Sequence, residues 1–162
     1  MPTLEHSIHI NGEPLALFRL TQDYTRRLAW DPFLREARLV DGAREPAVGV
    51  RAWCVARNGL AMETTYISYH PPEVAAIRMT RGPRILARFA GSWRFKSVAP
   101  GVTQVTFRYH LLTRPDWLRF LLNPLLLAVF AHDTWQRLSA LKHAAETTDL
   151  LQAYQSPTSQ AP

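Results

Sequence analysis

The stretch FAGSWRF, residues 89–95, alternates between two kinds of side chain. Every second position carries a large aromatic residue, except that Gly91 interrupts the row of Phe89, Trp93 and Phe95. The positions between them are small, polar or basic. Because successive side chains on a strand point to opposite faces, this pattern predicts a β-strand with an aromatic inner face. The glycine predicts either a close approach by a helix or ligand, or a strand bend or bulge.

Similar alternation extends outward from this stretch on both sides. The predicted strands are residues 4–10, 34–40, 48–56, 60–69, 74–80, 85–97 and 102–113. Short turn signals such as Asn58-Gly59 and Pro71-Pro72 separate the last six, which favours an antiparallel meander. Two short helices are predicted after the first strand, the second ending at Asp31-Pro32 because a residue before proline avoids the helical region.

A long helix is predicted from Pro124, with Asn123 as its N-cap, to about Thr148. One stripe of it is mostly apolar: Leu127, Ala131, Thr134, Leu138, Leu141 and Ala145. A twisted antiparallel sheet offers a concave surface for such a stripe. The sequence therefore predicts an α+β fold in which a curved antiparallel sheet (β-α-α-β6-α) wraps around the long C-terminal helix. Residues 1–150 form one domain, and residues 151–162 are predicted to be a disordered tail.

This element order resembles the START-like, or SRPBCC, superfamily with its helix-grip fold. The closest resemblance is to the polyketide cyclase/dehydrase and coenzyme Q-binding-like branch. It rests on LAWDPFLREARLVDG (28–42), GLAMETTYISYHPP (59–72), FAGSWRF, and VTFRYHL (105–111). The resemblance implies a mostly apolar cavity between sheet and helix. Members of the superfamily bind lipids, polyketides, quinones or other hydrophobic molecules, and some catalyse cyclisation; the fold alone does not choose.

The strand alternation selects the side chains that would line such a cavity. These are Met62, Tyr66, Met79, Phe89, Trp93, Phe107 and Tyr109. Solid packing of the same residues is the alternative. Among polar groups, the candidates for orienting a ligand or moving a proton are Tyr66, Tyr109 and His132. Asp133 comes next, but one helical step of about 100° prevents it and His132 from both facing the sheet.

Other catalytic chemistries find little support in the sequence. The histidines lack metal-ligand spacing, and the single cysteine, Cys54, cannot build a zinc site, so no metal is predicted. No nucleophile elbow and no phosphate-binding loop occurs, and no cofactor is predicted. An inward-facing Glu63 or His110 would favour catalysis, whereas a cavity with tyrosines alone would favour binding.

The charge distribution suggests a second surface. The net charge is +6, and no acidic residue occurs between Glu73 and Asp116. Five basic residues alternate with the aromatic face and should lie on the outer face of the sheet: Arg78, Arg88, Arg94, Lys96 and Arg108. This face could bind an acidic carrier protein or an anionic membrane surface, or it is simply solvated. Nucleic acid is an unlikely partner, because the aromatic side chains point to the opposite face.

The sequence leaves three functions open. The leading one is binding of a hydrophobic small molecule between sheet and helix. The alternatives are an aromatase/cyclase that acts on a carrier-bound polyketide chain, and a lipid or quinone carrier at a membrane surface. With one cysteine, no predicted signal peptide and an apolar segment at 117–131 that is too short to span a membrane, a cytoplasmic location is expected.

Overall fold

The computed structural model describes residues 2–155. Its strands are β1 (Thr3–Asn11), β2 (Leu34–Leu39), β3 (Arg51–Ala56), β4 (Ala61–His70), β5 (Val74–Arg81), β6 (Leu86–Ala99) and β7 (Val102–Thr113). Its helices are α1 (Pro14–Gln22), α2 (Arg27–Trp30) and α3 (Arg119–Thr147), with 3-10 turns at Asp116–Leu118 and Leu150–Tyr154.

The seven strands form one antiparallel sheet in the order β1-β7-β6-β5-β4-β3-β2. Strands β2 to β7 follow one another as the predicted meander, and β1 closes the sheet beside β7. The sheet curls into a half-barrel, and α3 lies in its concave face. This confirms the predicted helix-grip architecture.

The start of the long helix differs from the prediction. Helix α3 begins at Arg119 and contains Pro124 within its first turns. The Asn123 side chain does not cap the helix; its Oδ1 instead accepts hydrogen bonds from the backbone N and Oγ1 of Thr113, at 3.2 and 2.8 Å. Pro124 is the sixth helical residue, beyond the first four N–H groups that have no intrahelical partner, so its missing N–H removes one hydrogen bond, to the Phe120 carbonyl, from the helix.

The predicted tail boundary also needs correction. Residues Leu150–Tyr154 form a 3-10 turn, Leu151 is buried, and the Tyr154 hydroxyl donates to the Asp23 carboxylate. The prediction of disorder from residue 151 is therefore wrong for 151–155. The remainder of the predicted tail lies outside the described residues.

The hydrophobic core fills one end of the concave face. Its most deeply buried large side chains are Ile10, Leu17, Phe18, Leu20, Val105, Leu111, Leu138 and Leu141. Helix α1 is the element that occupies this end: the Phe18 ring packs edge-on against Phe95 of β6, with centroids 5.5 Å apart. The other end of the concave face is filled less completely.

Gly91 makes room for an aromatic ring of the neighbouring strand. It lies opposite Tyr109 of β7 in the sheet register, and a Cβ added to it would meet the Tyr109 ring carbons at 3.3 Å. Its pairing with β5 and β7 shows no register shift. The expected bulge is therefore absent at this glycine, and the approaching group is the Tyr109 ring rather than a helix or a ligand.

Within residues 2–155, no helix is both long and apolar enough to cross a membrane.

Candidate ligand-binding site

A cavity of about 160 Å³ lies between the sheet and the N-terminal half of α3. Its walls are mainly apolar: Ala75 and Ile77 of β5, Leu86, Phe89 and Trp93 of β6, Phe107 of β7, and Leu126, Val129 and Phe130 of α3. This volume is below the range of about 300–1,000 Å³ typical of drug-sized pockets and is close to that of a cavity of about 150 Å³ that binds benzene, so it has room for about one aromatic ring or a short acyl segment.

Six of the seven side chains predicted to line a cavity lie in its wall. They are Met62, Tyr66, Phe89, Trp93, Phe107 and Tyr109. Met79 is the exception: it packs against the core beside Gly82, where an added Cβ would lie 2.3 Å from its Sδ. The inward face of β4 is the predicted one through Tyr66, but a register shift between Tyr66 and Ser68 then turns Tyr69 toward the core.

Two tyrosines and a glutamine form one polar group in the wall. The Tyr66 hydroxyl donates to Gln22 Oε1 at 2.8 Å, and the Tyr24 hydroxyl lies 3.1 Å from the Tyr66 hydroxyl. Burial raises the pKa of Tyr24 to about 12 and raises that of Tyr66 well above its usual value. Both phenols therefore stay protonated at neutral pH and can act as hydrogen-bonding groups, not as bases.

A second polar group joins α2 to α3 through a buried carboxylate. Asp31 Oδ2 accepts from Arg27 Nε at 2.9 Å and from Arg137 Nη2 at 2.9 Å. Arg137 Nη1 donates to the Tyr109 hydroxyl at 2.6 Å. All four side chains are buried. This arrangement links the Trp30-Asp31-Pro32 segment to the long helix.

Charge and aromatic contacts hold this second group in place. Burial alone raises the pKa of Asp31, but Arg137 and Arg27 outweigh it and hold the pKa below its usual value. Arg27 lies over the Trp30 and Trp93 rings, with Cζ 4.9 and 5.5 Å from their centroids. Guanidinium groups over aromatic faces are stabilised by the ring quadrupole. Asp31 is therefore ionised between two fixed cations.

Two hydrogen-bond donors of this group have no acceptor among the described residues. Tyr109 accepts from Arg137, which leaves its own hydroxyl proton unused. Arg27 donates from Nε to Asp31 and from Nη1 to the Thr21 carbonyl, so its Nη2 has no acceptor among the described residues. Tyr109 and Arg27 both line the cavity. A ligand oxygen in the cavity could therefore accept a hydrogen bond from either donor.

The predicted histidine faces away from the cavity. His132 is exposed, and its Nε2 lies 2.9 Å from Gln136 Nε2 on the outer side of α3. Asp133, the next residue, lines the cavity instead. Burial raises the pKa of its carboxyl, against the opposing charges of His132 and Arg137. Only one of the two neighbours faces the sheet, as predicted, but it is the aspartate.

Neither Glu63 nor His110 turns into the cavity. Glu63 Oε1 accepts from Thr80 Oγ1 at 2.8 Å and from Arg51 Nη1 at 3.2 Å. His110 Nδ1 lies 2.8 Å from Thr3 Oγ1. Among residues 2–155, no three His, Cys, Asp or Glu side chains are grouped closely enough to hold a metal ion.

The predicted basic residues lie on the outer face of the sheet. Arg78, Arg88, Arg94 and Lys96 are exposed, and none of them has an acidic partner in the described part of the chain. Arg108 is half-buried and forms an ion pair with Glu5 of β1. The placement agrees with the strand alternation; whether this face has a partner stays a prediction.

The charged residues of the cavity were not predicted from the sequence. Arg27 and Asp31 are four residues apart, the spacing of a helical ion pair, which was an available signal. Arg137 falls beside Thr134, Leu138 and Leu141 on the inward stripe of α3. A charged residue within an apolar stripe indicates either a buried pair or a site, and this signal was also available.

Comparison with known proteins agrees with the fold. Residues 1–146 match the family described as polyketide cyclase / dehydrase and lipid transport. No curated protein matches the chain. The solved structure of the Zhui aromatase/cyclase from Streptomyces sp. R1128 is similar, with 18% identity, a TM-score of 0.73, and coverage of 90% of this chain and 93% of that one.

Two further solved structures are similar. A START superfamily protein from Mycobacterium smegmatis shares 10% identity at a TM-score of 0.73, covering 89% of this chain and 97% of that one. The XoxI protein from Bacillus cereus shares 14% identity at a TM-score of 0.74, covering 91% and 97%. At these identities the structures show a common fold only. The family match covers nearly the whole chain, and the protein therefore belongs to the polyketide cyclase/dehydrase and lipid transport family, with a START-like helix-grip fold.

Proposed function

We propose that the protein binds a hydrophobic small molecule in the cavity and fixes its orientation through one ligand oxygen. The observation that carries this proposal is the pair of donors without acceptors, Tyr109 Oη–H and Arg27 Nη2, in an otherwise apolar wall. Apolar pockets with a few convergent polar groups are typical of small-molecule sites. The ligand class is an aromatic or acyl compound with a carbonyl, enol or phenol oxygen, which includes quinones, polyketides and oxidised lipids.

The apolar and the polar side chains of the cavity have different roles in binding. The rings of Phe89, Trp93 and Phe107 supply apolar contact area, which contributes about 25 cal/mol for each Å² removed from water. The two donors, Tyr109 Oη–H and Arg27 Nη2, add little net affinity. They disfavour ligand orientations in which the bound ligand buries them without an acceptor. Specificity for an oxygen-bearing ligand is the expected result.

Native mass spectrometry of the freshly purified protein, followed by solvent extraction of any bound compound, tests this proposal. Leu126 lines the cavity, whereas Leu125 beside it is exposed. We expect a stoichiometric adduct, or uptake from a panel of lipids, quinones and polyketides, in the wild type and in Leu125→Trp. Leu126→Trp should lose it, because the indole fills the cavity. Retention by Leu126→Trp, or no uptake by any of the three proteins, would refute the proposal.

Catalysis of polyketide cyclisation is the second candidate, and Asp133 favours it. A partly buried carboxyl with a raised pKa, one helical turn from Arg137, suits proton transfer. In an aldol closure the carboxylate would take a proton from a methylene group, and the resulting enolate carbon would bond to a ketone carbon as its C=O π bond breaks. The alkoxide would take the proton back from the Asp133 carboxyl. Dehydration would then remove a second α-proton and the protonated hydroxyl as water, which forms a C=C bond. The similar Zhui structure is that of an aromatase/cyclase, which supports testing this reaction.

Turnover of a carrier-bound poly-β-ketone chain separates catalysis from binding. Asp133→Asn should abolish cyclised product while keeping the adduct seen by mass spectrometry. His132→Asn is the matched control, because its side chain is exposed and points away from the cavity. No cyclised product from the wild type, or undiminished product from Asp133→Asn, would leave binding as the function.

A further inference from the structure

A second apolar row faces solvent along the 3-10 turn at Asp116–Leu118 and the N-terminal half of α3. Trp117, Leu121, Leu125 and Val129 follow one another at four-residue intervals, the spacing of neighbours on one helix face. Phe120 stands beside them. All are exposed, Trp117 by 75% and Phe120 by 79%. Soluble proteins seldom leave so many adjacent large apolar side chains in water unless the surface binds a partner.

This row is continuous with the mouth of the cavity. Val129 belongs both to the row and to the cavity wall. Leu60, in the turn between β3 and β4, and Ile85, in the loop between β5 and β6, also line the cavity and are exposed. We refer to the combined surface as the mouth patch: Leu60, Ile85, Trp117, Phe120, Leu121, Leu125 and Val129.

Basic residues border the mouth patch. Arg57 lies in the same turn as Leu60, Arg84 directly precedes Ile85, and the backbone N of Arg114 donates to the Ile85 carbonyl at 2.8 Å. All three arginines are exposed and lack an acidic partner among the described residues. The neighbouring acid at the start of the helix, Asp116, is paired with Arg119 at 2.7 Å.

The combination of an apolar row and an arginine border favours one kind of partner. Tryptophan and phenylalanine are typical of the level where lipid headgroups meet acyl chains, and arginines are attracted to anionic headgroups. A second copy of this chain fits less well, because a two-fold contact would bring the basic borders of the two copies together without any acidic group to pair with them. An acidic protein would pair with the arginines but would not require the large apolar row.

We propose that the mouth patch docks on the surface of an anionic phospholipid bilayer. Docking would place the opening of the cavity against the acyl region, so a hydrophobic ligand would pass between bilayer and cavity without crossing water. The surface assigned here is the rim of the cavity, not the outer basic face of Arg78, Arg88, Arg94, Lys96 and Arg108. Membrane docking stands on the patch alone; only the passage of a ligand depends on the proposed function.

Vesicle co-sedimentation tests the docking. We expect the wild type to bind vesicles made of equal amounts of phosphatidylcholine and phosphatidylglycerol and to bind phosphatidylcholine alone much more weakly. Phe120→Ser with Leu121→Ser should weaken binding at least about tenfold, since both apolar side chains are lost. Arg84→Gln with Arg114→Gln should weaken binding by about fivefold per arginine. Thermal unfolding checks that each variant is folded.

Two matched controls locate the surface. Val48→Ser with Val98→Ser removes exposed apolar side chains elsewhere, and Arg94→Gln with Lys96→Gln removes charges from the outer face of the sheet. Both should sediment as the wild type does. Leu126→Trp should also sediment normally even if it binds no ligand, which separates failure of docking from failure of ligand binding.

Three results would overturn the proposal. The first is sedimentation that falls in Arg94→Gln/Lys96→Gln and not in Phe120→Ser/Leu121→Ser, which would assign docking to the outer sheet face. The second is equal binding to vesicles with and without phosphatidylglycerol. The third is no binding to any vesicle together with a dimer in analytical ultracentrifugation that Phe120→Ser/Leu121→Ser abolishes, which would make a second copy the partner.

Discussion

The two halves of α3 are nearly equal in length but lie in opposite environments. From Thr134 onward the helix buries Thr134, Arg137, Leu138, Leu141 and Ala144. From 119 to 133 it buries no residue fully, although this half is the more apolar in sequence. The difference shows that an apolar helical segment in this fold need not belong to the hydrophobic core. The C-terminal half of α3 packs into the core and stabilises the protein, whereas the N-terminal half covers the cavity.

The reason lies in what faces each half. The C-terminal half packs against β1, where Lys142 Nζ donates to the His9 carbonyl at 2.8 Å and Glu146 Oε1 accepts from the backbone N of Asn11 at 2.9 Å. The N-terminal half covers the cavity with Leu126, Val129 and Phe130, and its other side is exposed to solvent. The boundary between the two halves falls at the ion group of Arg27, Asp31 and Arg137, which closes the inner end of the cavity.

Removing the negative charge of Asp31 at this boundary should have the largest effect on the free energy of unfolding. Asp31→Asn leaves two buried arginines without a counter-ion, and breaking a buried pair in this way costs about 3–5 kcal/mol of unfolding free energy. Urea unfolding measures it. Asp41→Asn is the control, because the Asp41–Arg51 pair is exposed and should contribute about 0–1 kcal/mol. Equal losses in the two variants would mean that the buried group does not hold the halves together.

The Asp31 carboxylate also makes the stability of the folded protein depend on pH in the acidic range. The folded-state pKa of Asp31 is lowered, so its contribution to stability is present above the unfolded value of about 3.9 and is lost as the pH falls through the lower folded value. Stability measured across this acidic range should therefore depend less on pH in Asp31→Asn than in the wild type. An unchanged slope would place the acid sensitivity elsewhere.

Truncating one leucine in each half tests the contrast directly. Leu141→Ala should lower the free energy of unfolding by about 2–5 kcal/mol, because a fully buried side chain leaves a cavity in packed core. Leu125→Ala should change it by less than about 0.5 kcal/mol, because that side chain is already largely in water. If Leu125→Ala is as damaging as Leu141→Ala, the N-terminal half is core and the contrast fails.

A smaller loss of stability is expected from a substitution at Gly91 of β6, beside the cavity wall. Gly91→Ala adds a methyl group 3.3 Å from the Tyr109 ring, so the ring must shift within a packed wall. Overpacking of this kind costs about 1–3 kcal/mol. Ala90→Gly at the neighbouring position, on the other face of the strand, is a comparison that exchanges the same two residue types without crowding the ring. A neutral Gly91→Ala, measured by thermal unfolding, would show that Tyr109 is not held against the strand.

The strands could be predicted from sequence far better than the polar end of the cavity. The alternation of side chains along β6 and β7 predicts which of them face inward. Phe89 and Trp93 of β6 and Phe107 and Tyr109 of β7 do face inward, because the pairing of the two strands has no register shift in this part. Met79 also packs against the core but lies outside the cavity, at the end of the sheet where β4 and β5 change register between Glu63 and Thr64.

The polar end depends on contacts between elements distant in the chain. Asp31 and Arg137 are separated by 106 residues, and no local pattern predicts that they meet. The choice between His132 and Asp133 depended on the rotation of α3 about its axis. That rotation is fixed by Leu138 and Leu141 in the packed half, and by the pairing of Arg137 with Asp31.

The most direct test of ligand orientation is a binding cycle on Tyr109. Isothermal titration would measure naphthoquinone and naphthalene, which differ in their oxygens, against the wild type and Tyr109→Phe. If the hydroxyl donates to a ligand oxygen, Tyr109→Phe should weaken naphthoquinone by about fivefold, equivalent to about 1 kcal/mol, and leave naphthalene unchanged. Equal changes for the two ligands, or no change for either, would contradict a cavity that orients its ligand through this group.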